Sequence, residues 1–164
     1  MIKTVLGSLL LVCCLLVTNK SQAQSQAAID DKILTEYFAK NHIKAKKTSS
    51  GLYYVITQNG AGLHAKAGQK VSMNYVGKFL DGKVFDGNVD DNYKPVGSRG
   101  PLEFTLGVGQ VIKGWDEAVQ LLNPGSRATI YLPSGIAYGP NGRAPIPPNS
   151  ILVFNVELLS AGQH

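Results

Sequence analysis

The chain has 164 residues, 44% of them apolar, with 18 Gly and 8 Pro and a formal charge of +5. That length suits one ordinary domain with modest extensions, and the composition supplies a core but not a multispanning membrane protein. Two of the 16 basic residues, Lys3 and Lys20, fall within the first 23 positions, which hold no acid; the remainder carries 14 basic against 11 acidic residues, a balance of +3 too mild and too scattered to mark a nucleic-acid surface.

The N-terminus has the pattern of an export signal. Lys3 is the positive start, residues 5–17 form an apolar run broken only by Gly7 and Ser8, and Ser21-Gln22-Ala23 puts small residues where a signal peptidase reads them. Cleavage after Ala23 is expected, so that residues 1–23 are the signal and no stable membrane span is left. The alternative is an uncleaved anchor, for which the run falls short of the roughly 20 residues of a bilayer span. Lipid anchoring at Cys13 or Cys14 is not expected. Val12 precedes Cys13 instead of a small residue, and Leu15, Leu16 and Val17 continue the apolar run past both. The chain has no other cysteine, so the mature protein has no thiol for a disulfide, a nucleophile or a metal. The expected destination is a periplasm or cell envelope.

Residues 24–50 read as a helical extension and linker. Ile29, Ile33 and Tyr37 are spaced by four, with Leu34 and Phe38 beside them, and predict a helix from Ala28 to Asn41. Its apolar stripe must be buried, either on the main domain or in a homodimer contact. Lys44, Lys46 and Lys47 in residues 42–50 read as a solvated linker.

Over residues 51–160 the period shortens toward strands. Leu52–Thr57 is rich in β-branched and aromatic residues, and Val71, Met73 and Tyr75 alternate with Ser72 and Asn74. Asp81-Gly82 marks a hairpin turn before a strand over Lys83–Asp86. A polar loop over 87–100 leads to a short strand, Leu102–Leu106. One clear helix follows over about residues 112–122, with Trp115, Val119 and Leu122 on one face and Asp116 and Glu117 in its first turn, ended by Asn123-Pro124-Gly125. Arg127–Leu132 is a strand, 133–150 a long Pro- and Gly-rich loop, and Ile151–Leu159 an alternating strand. Many short strands and one helix predict an α+β fold in which a curved sheet wraps the helix.

None of the usual catalytic sets is present. His42, His64 and His164 are isolated, Ser134-Gly135 lacks a nucleophile elbow, and Gly107-Val108-Gly109 reads as a turn. No metal and no cofactor is expected. Three runs stand out instead: Asn74-Tyr75-Val76-Gly77, Asp81-Gly82-Lys83-Val84-Phe85-Asp86 and Val111-Ile112-Lys113-Gly114-Trp115. Farther on come Ala137-Tyr138-Gly139, Ile146-Pro147-Pro148-Asn149 and Leu152-Val153-Phe154-Asn155-Val156-Glu157-Leu158. In order and near-spacing these resemble the FKBP-type peptidyl-prolyl cis–trans isomerases, in an exported bacterial form, and the resemblance covers residues 51–160.

The resemblance implies a strongly curved antiparallel half-barrel around one short helix and an enzyme that speeds rotation of X-Pro bonds. It implies that Tyr75, Phe85, Asp86, Tyr138 and Phe154 form the catalytic set. Phe104, Val111, Ile112, Trp115, Ile146 and Leu102 would bind the substrate, with Trp115 as floor and the Ile112 N–H as a donor. Proline-containing polypeptides would be the substrates, and macrolides of the FK506 and rapamycin type the inhibitors. The alternative is a chaperone-like module that binds through the pocket or the N-terminal helix without relevant turnover. Gln110 stands where some members carry Glu, and Leu102 where an aromatic is common. The loop 87–100 is long, leaving Arg99 as the candidate partner of Asp86, and Gly139–Pro145 departs from the family in length and composition.

Overall fold

The structure is a computed structural model that describes residues 25–162. The expected signal over 1–23, with its cleavage and lipidation questions, lies outside the described residues. Among those described, no helix is long and apolar enough to cross a membrane.

Residues 25–40 form helix α1. Strands β1 (Lys46–Lys47), β2 (Tyr53–Gln58), β3 (Lys70–Lys78), β4 (Val84–Gly87) and β5 (Leu102–Thr105) follow. Helix α2 (Lys113–Ala118) continues into a 3-10 turn over Val119–Leu121, and β6 (Arg127–Leu132) and β7 (Leu152–Gly162) complete the chain. All pairings are antiparallel, in the order β1-β2-β6-β7-β3-β4, with β5 also on β3. This is the curved sheet around a short helix that the strand pattern predicts.

Period-two alternation sends the side chains of β2, β6 and β7 to two different cores. On β6 and β7, Ala128, Ile130, Leu132, Leu152, Phe154, Val156 and Leu158 point to the inner core and meet Trp115, Val119 and Leu122 of the α2 segment. Tyr131 and Val153, on the opposite face, join Tyr53 and Ile151 in a second core. Helix α1 closes that second core with Leu34 and Phe38. The Phe38 ring sits 5.0 Å from Tyr53 and 4.8 Å from Tyr131 in edge-on geometry.

The stripe of α1 therefore buries on the main domain, but along a different row from the one most visible in sequence. Ile29 and Ile33 remain 48% and 41% exposed, whereas Asp30, Leu34 and Phe38, also spaced by four, face inward. Asp30 is buried and accepts hydrogen bonds from the Ser134 N–H (2.7 Å), the Ser134 hydroxyl (2.6 Å) and Gln26 (2.8 Å). Those bonds satisfy a carboxylate that would otherwise be costly to bury. Residues 42–50 are not the plain linker expected: β1 adds a short edge strand beside β2, and Lys47 pairs with Asp31.

The long loop after β4 is also ordered by polar groups. Asn88 accepts from the Tyr75 N–H and donates to Asn74, which donates to Glu157, both side-chain bonds being 2.8 Å. Glu157 holds Arg127 at 2.8 Å, and the Arg127 guanidinium lies 4.2 Å from the Tyr93 ring centroid. Asn74 and Glu157, which alternate outward as expected, are covered by this loop.

Candidate functional site

At the open side of the inner core the sheet and α2 leave a cavity of about 360 Å³. Trp115, on the first turn of α2, contributes at 3% exposure. Tyr75 from β3 and Phe154 from β7 meet its ring edge-on at 5.2 and 5.3 Å. Phe85 from β4 stands 5.6 Å from Phe154, and Leu102 of β5 adds an aliphatic wall. The approach of Phe85 and Phe154 depends on Gly77: a Cβ there would lie 2.7 Å from atoms of both rings.

The turn between β5 and α2 brings Gln110, Val111 and Ile112 to the rim. It is tied down by Asp116, whose carboxylate accepts from the Gly107 N–H at 2.8 Å and the Gly109 N–H at 3.0 Å. Asp116 thus organises a loop rather than serving only the helix dipole. Gln110 accepts from the Thr105 N–H at 2.8 Å. Ile112 is the extended residue before α2, and its carbonyl accepts from Trp115 (2.9 Å) and Asp116 (3.2 Å). Its own N–H has no partner among the described residues. On the opposite side, Tyr138 comes from the loop after β6, half-buried, and its hydroxyl makes no hydrogen bond among the described residues.

Asp86 is the one carboxylate lining the cavity. It accepts from the Tyr75 hydroxyl at 2.8 Å, from Arg99 at 2.8 Å and from the Gly87 N–H at 2.9 Å. Arg99, offered by sequence as a candidate partner, reaches it because the loop folds back, and it also donates to the Gly87 carbonyl at 2.8 Å. Burial pushes the Asp86 carboxyl up, but the bonds from Tyr75, Arg99 and Gly87 outweigh it, and the group titrates below its ordinary value. Burial first, then the bond to Asp86, push the Tyr75 phenol up to about 12.

A folded-state pKa below the unfolded one means that Asp86 stabilises the fold fully above the ordinary carboxyl value, about 3.9. That contribution is lost as pH falls through the folded value. Asp86→Asn, which has no such titration, is expected to lose less melting temperature than the native chain between about pH 5 and pH 2. Parallel thermal melts across that range check it; equal acid slopes would mean that the carboxylate is not specifically stabilised.

Two expected pocket residues stand elsewhere. Phe104 does not line the cavity; it shares a strand face with Leu102 but lies deeper, 5% exposed, with its ring 6.1 Å from Trp115. Ile146 is buried in the inner core and closes a turn with Arg143, whose N–H donates to the Ile146 carbonyl at 2.9 Å. Arg143, which sequence reading did not single out, does line the cavity. As an isolated cation in a polar loop it carried no signal.

The site has aromatic walls, an Ile112 N–H and a Tyr138 hydroxyl without partners among the described residues, and a carboxylate paired with Arg99. The chain matches the family described as FKBP-type peptidyl-prolyl cis-trans isomerase over residues 62–159. It is 42% identical over 145 residues to the FKBP-type peptidyl-prolyl cis-trans isomerase FkpA of Aeromonas hydrophila, covering 87% of this chain and 50% of that protein. It is 44% identical over 109 residues to FK506-binding protein 1 of Gibberella zeae, covering 66% of this chain and 95% of that one. The crystal structure of FkpA from Escherichia coli superposes with a TM-score of 0.68 at 33% identity, covering 95% of this chain and 71% of that chain. The chain spans about half the length of the FkpA proteins of Aeromonas hydrophila and Neisseria meningitidis that it matches. With fold, motifs and relatives in agreement, this chain belongs to the FKBP-type peptidyl-prolyl cis–trans isomerase family.

Proposed function

We propose that this chain is a peptidyl-prolyl cis–trans isomerase that acts on X-Pro bonds of exported polypeptides, with Trp115 as the floor under the proline. The observation that carries the reading is that two donors without partners among the described residues, the Ile112 N–H and the Tyr138 hydroxyl, stand at a cavity walled by Tyr75, Phe85, Trp115 and Phe154.

Rotation about an X-Pro bond needs no nucleophile. The planar amide is held by partial double-bond character, with a barrier of about 18–20 kcal/mol. Uncatalysed exchange takes tens to hundreds of seconds. The twisted amide has lost resonance and is less polar, so a dry aromatic wall favours it over the planar form. Donors that hold a twisted backbone contribute at the transition state, where binding raises the rate. Phe85, Phe154 and Leu102 supply the wall, and Tyr75 and Arg99 keep Asp86 from presenting a bare charge to the substrate. Phe104 and Ile146 support this cavity from the core. Macrolides of the FK506 and rapamycin type are the proposed inhibitors.

Tyr138→Phe tests the reading. Loss of one neutral hydrogen bond is worth about 0.5–1.5 kcal/mol, so the isomerase rate should fall several-fold. Melting should stay nearly unchanged, since the hydroxyl braces nothing in the fold. A native rate, or a melt far below native, would remove that hydroxyl from the mechanism. Export to a periplasm or envelope is part of the proposal and rests on the residue pattern of 1–23. Ile29 and Ile33 are the α1 residues left for a homodimer contact.

A further inference from the structure

Arg143 is the cation of the cavity that the isomerase reading does not use. Its position is built. Gly142 adopts φ +63°, and a Cβ there would lie 2.6 Å from the Ile146 carbonyl oxygen, so the turn that presents Arg143 calls for glycine. The Arg143 N–H then closes that turn on Ile146 at 2.9 Å, and the Asn149 N–H ties the loop to the Gly139 carbonyl at 2.8 Å.

The guanidinium lies 5.8 Å from the Tyr138 ring centroid, within cation–π range. Such an approach leaves edge N–H groups of a guanidinium free for a carboxylate. Among the described residues Arg143 makes no ion pair. The cavity's own carboxylate, Asp86, is already engaged by Arg99 and Tyr75. The mouth therefore holds one balanced pair and one cation in excess.

We infer that Arg143 is a specificity-determining residue that favours substrates carrying a carboxylate side chain next to the proline. Tyr138 is the proposed partner of the substrate backbone, so a cation against its ring sits within a side chain's reach of the neighbouring residue. The inference rests on the isomerase reading and deepens it.

The test uses peptides that differ only in Glu or Gln, placed before or after the proline. Exchange is followed by NMR, without a coupled protease whose own charge preference would intrude, and each peptide's spontaneous rate is subtracted. Glu should be favoured over Gln at one of the two positions by about two- to fivefold at low salt, the scale of a partly exposed ion pair. The ratio should shrink near 1 M salt, where the screening length is about 3 Å. Arg143→Gln should bring the ratio to about one, and Arg143→Lys should keep part of it. Equal acceleration of Glu and Gln peptides at both positions overturns the inference and leaves the isomerase reading intact. A preference that survives Arg143→Gln also overturns it. Acceleration of none of the peptides removes the isomerase reading and this inference together.

Discussion

Trp115→Ala is expected to cost about 3–5 kcal/mol of stability, the range for removing a large buried aromatic. The side chain is 3% exposed and packs against Tyr75, Phe154 and Phe104 at ring distances of 5.2, 5.3 and 6.1 Å. Its indole nitrogen is buried with no partner among the described residues, so the loss is one of packing rather than of a hydrogen bond. For a chain of this size the melting temperature should fall by roughly 10–20 °C. Trp115 is the only tryptophan, so melts of native and variant are best compared by circular dichroism. Turnover should collapse with the floor, even at temperatures where the variant remains folded. Trp115→Phe, which keeps an aromatic ring, should recover part of both properties. A variant that melts within a degree or two of native would show that this ring is not part of the core.

Phe38→Ala should cost a similar amount, about 3–5 kcal/mol, although it lies outside the stretch that carries the family motifs. The ring is 7% exposed between Tyr53 and Tyr131, on the opposite face of the sheet from the cavity. Stability should therefore fall with little change in the isomerase rate measured well below the melting point. This contrast with Trp115→Ala separates the two cores. If α1 were a tethered appendage, Phe38→Ala would melt like the native chain. If the second core governed the cavity, the rate would fall in step with stability.

Much of this architecture was legible because its elements repeat simple periods. β6 matches its expected bounds, Arg127–Leu132, because Ala128, Ile130 and Leu132 alternate with residues of the other face. In α1 the helix was visible but its buried row was not. Asp30 begins the Asp30, Leu34, Phe38 row, and a carboxylate there disguises it as a solvent face. The partner that permits its burial, Ser134, lies 104 residues away, beyond any local pattern.

The same limit applies to the site. The family motifs led to Tyr75, Phe85, Asp86, Trp115, Tyr138 and Phe154, which the fold gathers around one cavity. They also carried over Phe104 and Ile146, which lie in the core outside its lining. Alternation alone cannot tell a residue at the rim from one two positions deeper on the same strand face. The engagement of Asp86 by Arg99 depends on a loop held by Asn88, Asn74 and Glu157, contacts that cross from one strand to another. Arg143 was missed because a cation in a Pro- and Gly-rich loop looks the same whether it faces solvent or a cavity.

Side chains and backbone donors alone are expected to let this cavity accelerate X-Pro rotation. Cis–trans exchange of a proline peptide, followed by NMR with and without the protein in the presence of a chelator, tests it most directly. Exchange is expected well above the spontaneous rate, unaffected by the chelator and abolished by a saturating macrolide of the FK506 type. Exchange at the spontaneous rate across several residues before the proline would contradict it.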